Sequence, residues 1–140
     1  GKWGSKMPPA YAAFADQFIA NAPSGPFLLF GEHLYQPPCQ APSLDGLKIL
    51  RPGLHLGRIV KNRFEPSHAL SHCLMPKQAR TLYTLTPDGP EAERYLRGDA
   101  LPFDQGKGWC LVCVGRFPLG WGKASDGQLK NHFPKGLRWL

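Results

Sequence analysis

Lys123, Lys130, Lys135 and Arg138 fall within the last twenty-two residues, LGWGKASDGQLKNHFPKGLRWL, where the only acid is Asp126. Gly120, Gly122 and Gly127 stand among them, interleaved with Trp121, His132, Phe133 and Trp139. This mixture suits contact with a sugar-phosphate chain. Cations meet phosphates, glycine lets backbone approach closely, and aromatic or imidazole faces stack on exposed bases. The competing reading is a short basic hairpin whose charges only face water.

A second basic stretch, GLKILRPGLHLGRIVKNRFEPSHAL at residues 46–70, alternates Arg51, His55, Arg58, Lys61 and Arg63 with Leu47, Ile49, Leu54, Leu56 and Ile59. The apolar set would fill a core. The basic set would line an exposed sheet face, which either meets a polyanion or is simply solvated. The Arg63-Phe64-Glu65-Pro66-Ser67 segment is expected as a turn holding a buried arginine or a fixed contact between subdomains. Net charge over the whole chain is +7. Residues 101–140 hold six Lys/Arg against Asp104 and Asp126, a net of +4. Such a balance points to a polyanionic partner, usually nucleic acid, against the alternative that it only aids solubility.

The remaining reactive residues make a weaker case for chemistry. His68 and His72 are four apart on an expected helix, with Cys73 next, a spacing that can bring two imidazoles to one metal. No glutamate stands where a zincin motif requires it, so packing or capping is the simpler role. Cys110 and Cys113 have the CxxC spacing but lie in an expected strand, where side chains three apart point to opposite faces; both read as buried small hydrophobes. Pro38-Cys39 sits in a proline-rich loop with no base partner. Dinucleotide, Walker A, paired-carboxylate and nucleophile-elbow patterns are all missing from the sequence. The chain alone therefore carries no catalytic site, and no metal is expected. With no secretory pattern, its four cysteines read as reduced thiols of a cytoplasmic protein. No apolar run approaches the roughly 18 residues of a membrane span.

The elements that must hold these groups are short, as 16 glycines and 15 prolines in 140 residues require. Residues 1–7 read as a poorly ordered lead-in. Residues 8–22 carry Tyr11, Phe14, Ala15, Phe18, Ile19 and Ala22 on one helical face. Strands are expected at 27–30, 33–35, 47–50, 54–60 and 82–85, with a proline-rich connection at 36–44 and turns at Pro52-Gly53 and Lys61-Asn62. Short helices are expected at 66–74, opened by Glu65 or Pro66, and at 88–96, closed by Gly98. Residues 109–114 and 117–123 form a hairpin about Gly115-Arg116, and Asp126-Gly127 turns the chain into 128–132. Trp109 and Trp121 read as core or cross-strand residues rather than stacking platforms. The seam between an N-terminal α/β part and a C-terminal β-rich part is expected at 75–79.

The stretch Leu47-Lys-Ile-Leu-Arg51-Pro-Gly53-Leu-His-Leu56-Gly57, followed by Lys61-Asn-Arg63-Phe64-Glu65-Pro66-Ser67-His-Ala69-Leu70, resembles the C-terminal region of RsmF-type rRNA methyltransferases of the Nop/Sun family of RNA cytosine-5 methyltransferases. Tyr95-Leu96-Arg-Gly98, Gly108-Trp109, Pro118-Leu-Gly120-Trp-Gly122-Lys123 and Leu129-Lys130-Asn131-His-Phe133-Pro134-Lys135-Gly136-Leu-Arg138 resemble that family's PUA-like RNA-binding module. The resemblance covers about residues 27–138. It implies an α/β (α+β) fold, with an N-terminal mixed α/β subdomain (1–76) packed on a small C-terminal PUA-like β pseudo-barrel (77–140). It also implies a fragment that begins after a catalytic domain, whose partners are ribosomal RNA and that domain of the same parent chain. The parent would use S-adenosylmethionine; no cofactor is expected in this chain, and Cys39 lacks the residues that flank the family's motif cysteine. Under this resemblance Lys123, Lys130, Lys135 and Arg138 would bind phosphates. Asn131 and His132 would read a base edge or 2′-OH, unless Asn131 bonds its own backbone at a conformational corner. Gly120 and Gly122 would keep backbone near the RNA. Arg51 and Arg63 would be secondary contacts, or would hold the subdomains together. A stand-alone RNA-binding or ribosome-assembly protein, a module docking a protein partner through an apolar patch near 27–35, and a small enzyme whose pocket would have to gather His68, His72 or Cys39 are the other readings.

Overall fold

The computed structural model describes the chain except residues 1, 5, 38, 43–47 and 52; at residues 2, 3, 39–42 and 48–51 only the backbone is described. The chain divides into two compact units, Gly1–Ala13 with Pro23–Leu70, and Phe14–Ala22 with Ser71–Leu140.

The first unit contains β1 (Lys2–Gly4), the start of α1 (Pro9–Phe18), β2 (Phe27–Phe30), β3 (His33–Gln36), β4 (Cys39–Pro42), β5 (Lys48–Arg51), β6 (Leu54–Val60) and β7 (Arg63–Pro66). Five strands form an antiparallel sheet in the order β1-β2-β3-β6-β7, and β4 pairs with β5 separately. Alternation along each strand places Phe27, Leu34, Leu56 and Phe64 in the core. Tyr11 of α1, fully buried, meets Phe27 and Phe64 edge-on at 5.6 and 5.0 Å and donates its hydroxyl to the Pro23 carbonyl at 2.7 Å. The Lys61-Asn62 turn forms as expected. Both residues have positive φ (51° and 62°), the type I′ geometry that matches strand twist.

Four expectations are corrected in this unit. Residues 2–4 are a strand rather than loose lead-in, because β2 offers them an edge to pair with. The expected connection at 36–44 contains β4, and its partner runs over 48–51 rather than 47–50; residue 47 and Pro52 lie outside the described residues. The 63–67 segment is mostly strand, since the tight Lys61-Asn62 turn folds it directly onto β6. The next helix, α2 (His68–His72), opens on Ser67, whose Oγ accepts from the Leu70 amide at 3.0 Å and donates to the His55 carbonyl.

The second unit holds the end of α1, a 3₁₀ turn at Pro76–Gln78, β8 (Leu82–Leu85), α3 (Pro90–Leu96), β9 (Leu101–Pro102), β10 (Gly108–Val114), β11 (Phe117–Ser125), β12 (Gln128–Asn131) and a 3₁₀ turn at Lys135–Leu137. Its sheet runs β8-β10-β11-β12-β9, antiparallel except that β8 lies parallel to β10. Tyr83 of β8 stacks on Phe103, just past β9, at 5.1 Å and 25°. The two outermost strands of the sheet thus approach each other, which curls it into a PUA-like pseudo-barrel. One face encloses Leu85, Ala92, Tyr95, Leu101, Phe103, Cys110, Val112, Ala124, Leu129 and Phe133, with α3 contributing Ala92 and Tyr95. α3 starts at Pro90, two residues later than expected, because Gly89 is its N-cap; Glu91 and Glu93 stand early and Gly98, at φ +95°, follows its end as expected. The β10–β11 hairpin turns at Gly115-Arg116 with Gly115 at φ +56°.

α1 ends at Phe18, four residues short of expectation. Ile19 pairs instead with Ala79, and the Ala20 and Arg80 amides donate to the Gln78 and Phe18 carbonyls at 2.7 and 3.0 Å. Apolar spacing alone could not show that these groups had a partner outside the helix. The short strand β9 also lay outside the expectation; it is set by pairing with β12.

Candidate nucleic-acid interface

Two positive-φ residues, Asp126 (53°) and Gly127 (79°), make the two-residue turn between β11 and β12. That turn fixes the register: Ser125 faces Gln128, Lys123 faces Lys130, and Gly122 faces Asn131. On the other side of β11, Lys123 faces Trp109 of β10. Trp109, Lys123 and Lys130 therefore form one row across three strands, with Ser125 and Gln128 on the same face toward the tip. Lys123 and Lys130 are exposed and Trp109 is buried. The Lys123 ammonium lies 5.2 Å from the Trp109 ring centroid, and the His132 ring meets that indole edge-on at 4.7 Å. Among the described residues the ion pairs use Arg58, Arg94 and Arg97, and no acid pairs with Lys123, Lys130 or Lys135.

The other expected site residues divide by use. Lys135 is exposed on the C-terminal 3₁₀ turn. Asn131 works for the fold: its Nδ2 donates to the Tyr95 and Asp99 carbonyls at 2.8 and 2.9 Å, and its Oδ1 accepts from the Phe133 amide at 2.8 Å. Both amide hydrogens are committed, which leaves no donor to read a base edge. Arg138 donates from Nε to the Phe133 carbonyl at 3.1 Å and packs against Gly98. Arg63 is exposed at the start of β7, which corrects the buried-arginine reading. The arginine that organises that sheet is Arg58, bridging Glu32 and Glu65 at 3.1 and 3.2 Å. Only the backbone of Arg51 is described, as a partner of Cys39. His55 bonds His33 (Nε2 to Nδ1, 3.1 Å), and burial, followed by the charge of His33, lowers its pKa. The basic alternation expected over 46–70 is thus partly consumed by contacts within the sheet.

Gly120 and Gly122 are buried and do not bring backbone to a surface, contrary to expectation. A Cβ on Gly122 would stand 2.5 Å from Leu129 Cγ, and Leu129 is 1% exposed with no room to retreat. Gly122→Ala should destabilise the second unit by about 2–3 kcal/mol. Adding Leu129→Ala should recover part of that loss, because the small side chain vacates the colliding volume. Chemical denaturation of the four members of the cycle checks this; strict additivity would deny the collision.

The cysteine and histidine candidates separate in the same way. Cys110 and Cys113 are fully buried in β10, and burial pushes their thiols up to about 12 and about 11. Cys73 is exposed at the end of α2, and the Cys39 side chain lies outside the described groups. In native protein at pH 8, a thiol reagent should modify Cys73 readily and spare Cys110 and Cys113 until the chain unfolds; prompt labelling of either buried cysteine would contradict this burial. Since unfolded thiols titrate near 9, the unfolded state releases protons first. Stability should therefore fall as pH rises from about 9 to about 12. Among the described residues no three His, Cys, Asp or Glu side chains gather as a metal set, so His68, His72 and Cys73 do not form one. No helix among them is long and apolar enough to cross a membrane.

Two family models match the chain. One, described as the methyltransferase RsmF PUA domain, covers residues 83–139; the other, described as the RsmF rRNA methyltransferase first C-terminal domain, covers residues 13–74. Ribosomal RNA small subunit methyltransferase F of Shewanella baltica (strain OS223) is 33% identical over 95 residues, which are 65% of this chain and 20% of that protein. The protein of the same name from Shewanella putrefaciens (strain CN-32) is 30% identical over 95 residues, with the same shares covered. The match thus spans about a fifth of the length of these curated relatives.

Proposed function

We propose that this chain, which belongs to the RsmF methyltransferase family by its first C-terminal domain and its PUA domain, is the RNA-holding part of an rRNA cytosine-5 methyltransferase. The observation that carries the reading is the exposed Lys123–Lys130 pair, backed by Trp109 on a PUA-like sheet and lacking an acidic partner among the described residues. Lysine heads contact phosphates and set position without reading sequence, so the target nucleotide would be chosen elsewhere. Residues 1–76 and 77–140 would act as a linking and an RNA-binding module in a cytoplasmic enzyme. Lys123, Lys130 and Lys135 would make the phosphate contacts. His132 would add a ring edge, Asn131 and Arg138 would hold the corner that presents them, and Arg63 and Arg51 would be secondary RNA contacts.

S-adenosylmethionine, the methyl donor implied for such an enzyme, does not fit the described residues. Nucleotide cofactors of this kind sit at the strand ends of a doubly wound parallel sheet, and here β8–β10 is the sole parallel pair among the described strands. No catalytic step is assigned to this chain, and the methyl transfer would belong to a separate domain.

Binding of the chain to a structured small-subunit rRNA segment across a salt series tests the reading. A steep inverse dependence of affinity on salt, flattened by loss of the three lysines, supports it. Weak and equal binding by both proteins would instead favour docking to a protein, for which the exposed Leu29 and Phe30 of β2 (42% and 64% accessible) are the observation in favour.

A further inference from the structure

We infer that Lys123 and Lys130 together form a seat for one phosphate group, the phosphodiester of an RNA strand. This deepens the RNA-binding reading above and rests on it for the source of the phosphate.

The register of β11 and β12 sets the two lysines directly opposite each other, with Cβ atoms about 4.5–5.5 Å apart. Like charges in that position repel and destabilise a sheet. Elsewhere the fold avoids this: Arg58, opposite Glu65 in the same kind of hairpin, has its guanidinium 3.2 Å from that carboxylate. At β11–β12 the next pair toward the tip is Ser125 and Gln128, which are neutral hydrogen-bonding groups, and the acid of the turn, Asp126, pairs with neither lysine. On the inner side Trp109 holds the Lys123 ammonium over its ring, and His132 braces that indole. One lysine is thus steadied on the sheet while the other extends from the exposed neighbouring strand. From facing positions the two long side chains can reach the two unesterified oxygens of one phosphodiester, one ammonium each, with the exposed Ser125 and Gln128 next along the same face. A nucleobase or a sugar would leave the repulsion in place.

The seat makes a prediction that ordinary surface lysines do not. Like charges at facing positions disfavour the empty hairpin, so an anion should stabilise the fold and removal of one positive charge should do the same. Thermal unfolding of the whole chain, in inorganic phosphate and in chloride at matched ionic strength, reads both effects. The wild-type midpoint should rise by about 2–4 °C in saturating phosphate. Lys130→Glu, which converts the repelling pair into an attracting one, should melt above wild type in chloride and show no phosphate shift. An equal midpoint for wild type in both salts, or a phosphate shift retained by Lys130→Glu, overturns the seat.

Two further arms identify the source. A short single-stranded RNA should raise the wild-type midpoint, and polyglutamate of equal charge should not; an equal response to polyglutamate would assign the pair to an acidic protein. Rigid retention of RNA affinity by Lys130→Glu would sink the seat while leaving RNA binding standing. A phosphate shift in a chain that binds no RNA would do the reverse.

Discussion

Replacing Lys123, Lys130 and Lys135 together by alanine is expected to lower affinity for structured rRNA about 40-fold at 0.1 M salt. Each phosphate neutralised releases condensed counterion and contributes about 0.7–0.9 to the slope of log affinity against log salt. Between 0.1 M and 1 M salt, one phosphate is therefore worth about five- to eightfold, and two, one shared by Lys123 and Lys130 and one met by Lys135, multiply to roughly 25- to 60-fold. The slope itself should drop by about 1.4–1.8. All three side chains are exposed, so the variant should keep its fold. Arg138 is left in place because its guanidinium bonds the Phe133 carbonyl and lies against Gly98; removing it would disturb the C-terminal corner and confuse loss of contact with loss of structure. A filter-binding or anisotropy titration at four salt concentrations supplies both numbers. An unchanged slope would move the RNA surface off β11–β12.

The largest expected loss of stability comes from the other unit. A Cβ on Gly57 would lie 2.2 Å from the backbone oxygen of Glu65 and 2.5 Å from the Phe64 ring. The first obstacle is main chain of the paired strand β7, and the second is a buried core ring, 6% exposed. Neither can turn aside without opening the β6–β7 hairpin and withdrawing Phe64 from Tyr11. Gly57→Ala should therefore destabilise by more than about 3 kcal/mol, or about 10 °C in the melting midpoint for a chain of this size. Gly31→Ala makes the comparison. Nothing lies within 4 Å of its Cβ position, and the left-handed φ of 60° is its one obstacle, so about 1–2 kcal/mol is expected. Similar losses at both glycines would show that backbone conformation, not close approach of β6 and β7, governs the first.

The sequence by itself determines the strand pairing at the candidate interface. An Asp-Gly pair between two polar-apolar alternating runs specifies a two-residue hairpin turn. Once 126 and 127 are the turn, partners must sum to 253, so Lys123 must face Lys130. The same arithmetic about Lys61-Asn62 sets Arg58 opposite Glu65 and would have shown 63–66 to be a strand rather than a turn. Local chemistry likewise marks the end of α3, because a glycine stop acts through the backbone of its own few residues. Charge balance, motif order and the burial of the CxxC cysteines in an alternating strand were legible for similarly local reasons.

Tertiary structure decided whatever depended on a partner distant in sequence. The end of α1 is set by the Gln78–Arg80 backbone some sixty residues away, and β1 and β9 exist because another strand offers them an edge. The same holds for the roles of the site residues. Glycine at 122 suggests room for RNA, but Leu129 fills that space. Asparagine at 131 suggests a base reader, but the Tyr95 and Asp99 carbonyls take its two amide hydrogens. A side chain's type states what it can bond. Which group arrives first, within hydrogen-bond reach and out of water, is settled only when segments far apart in the chain pack together.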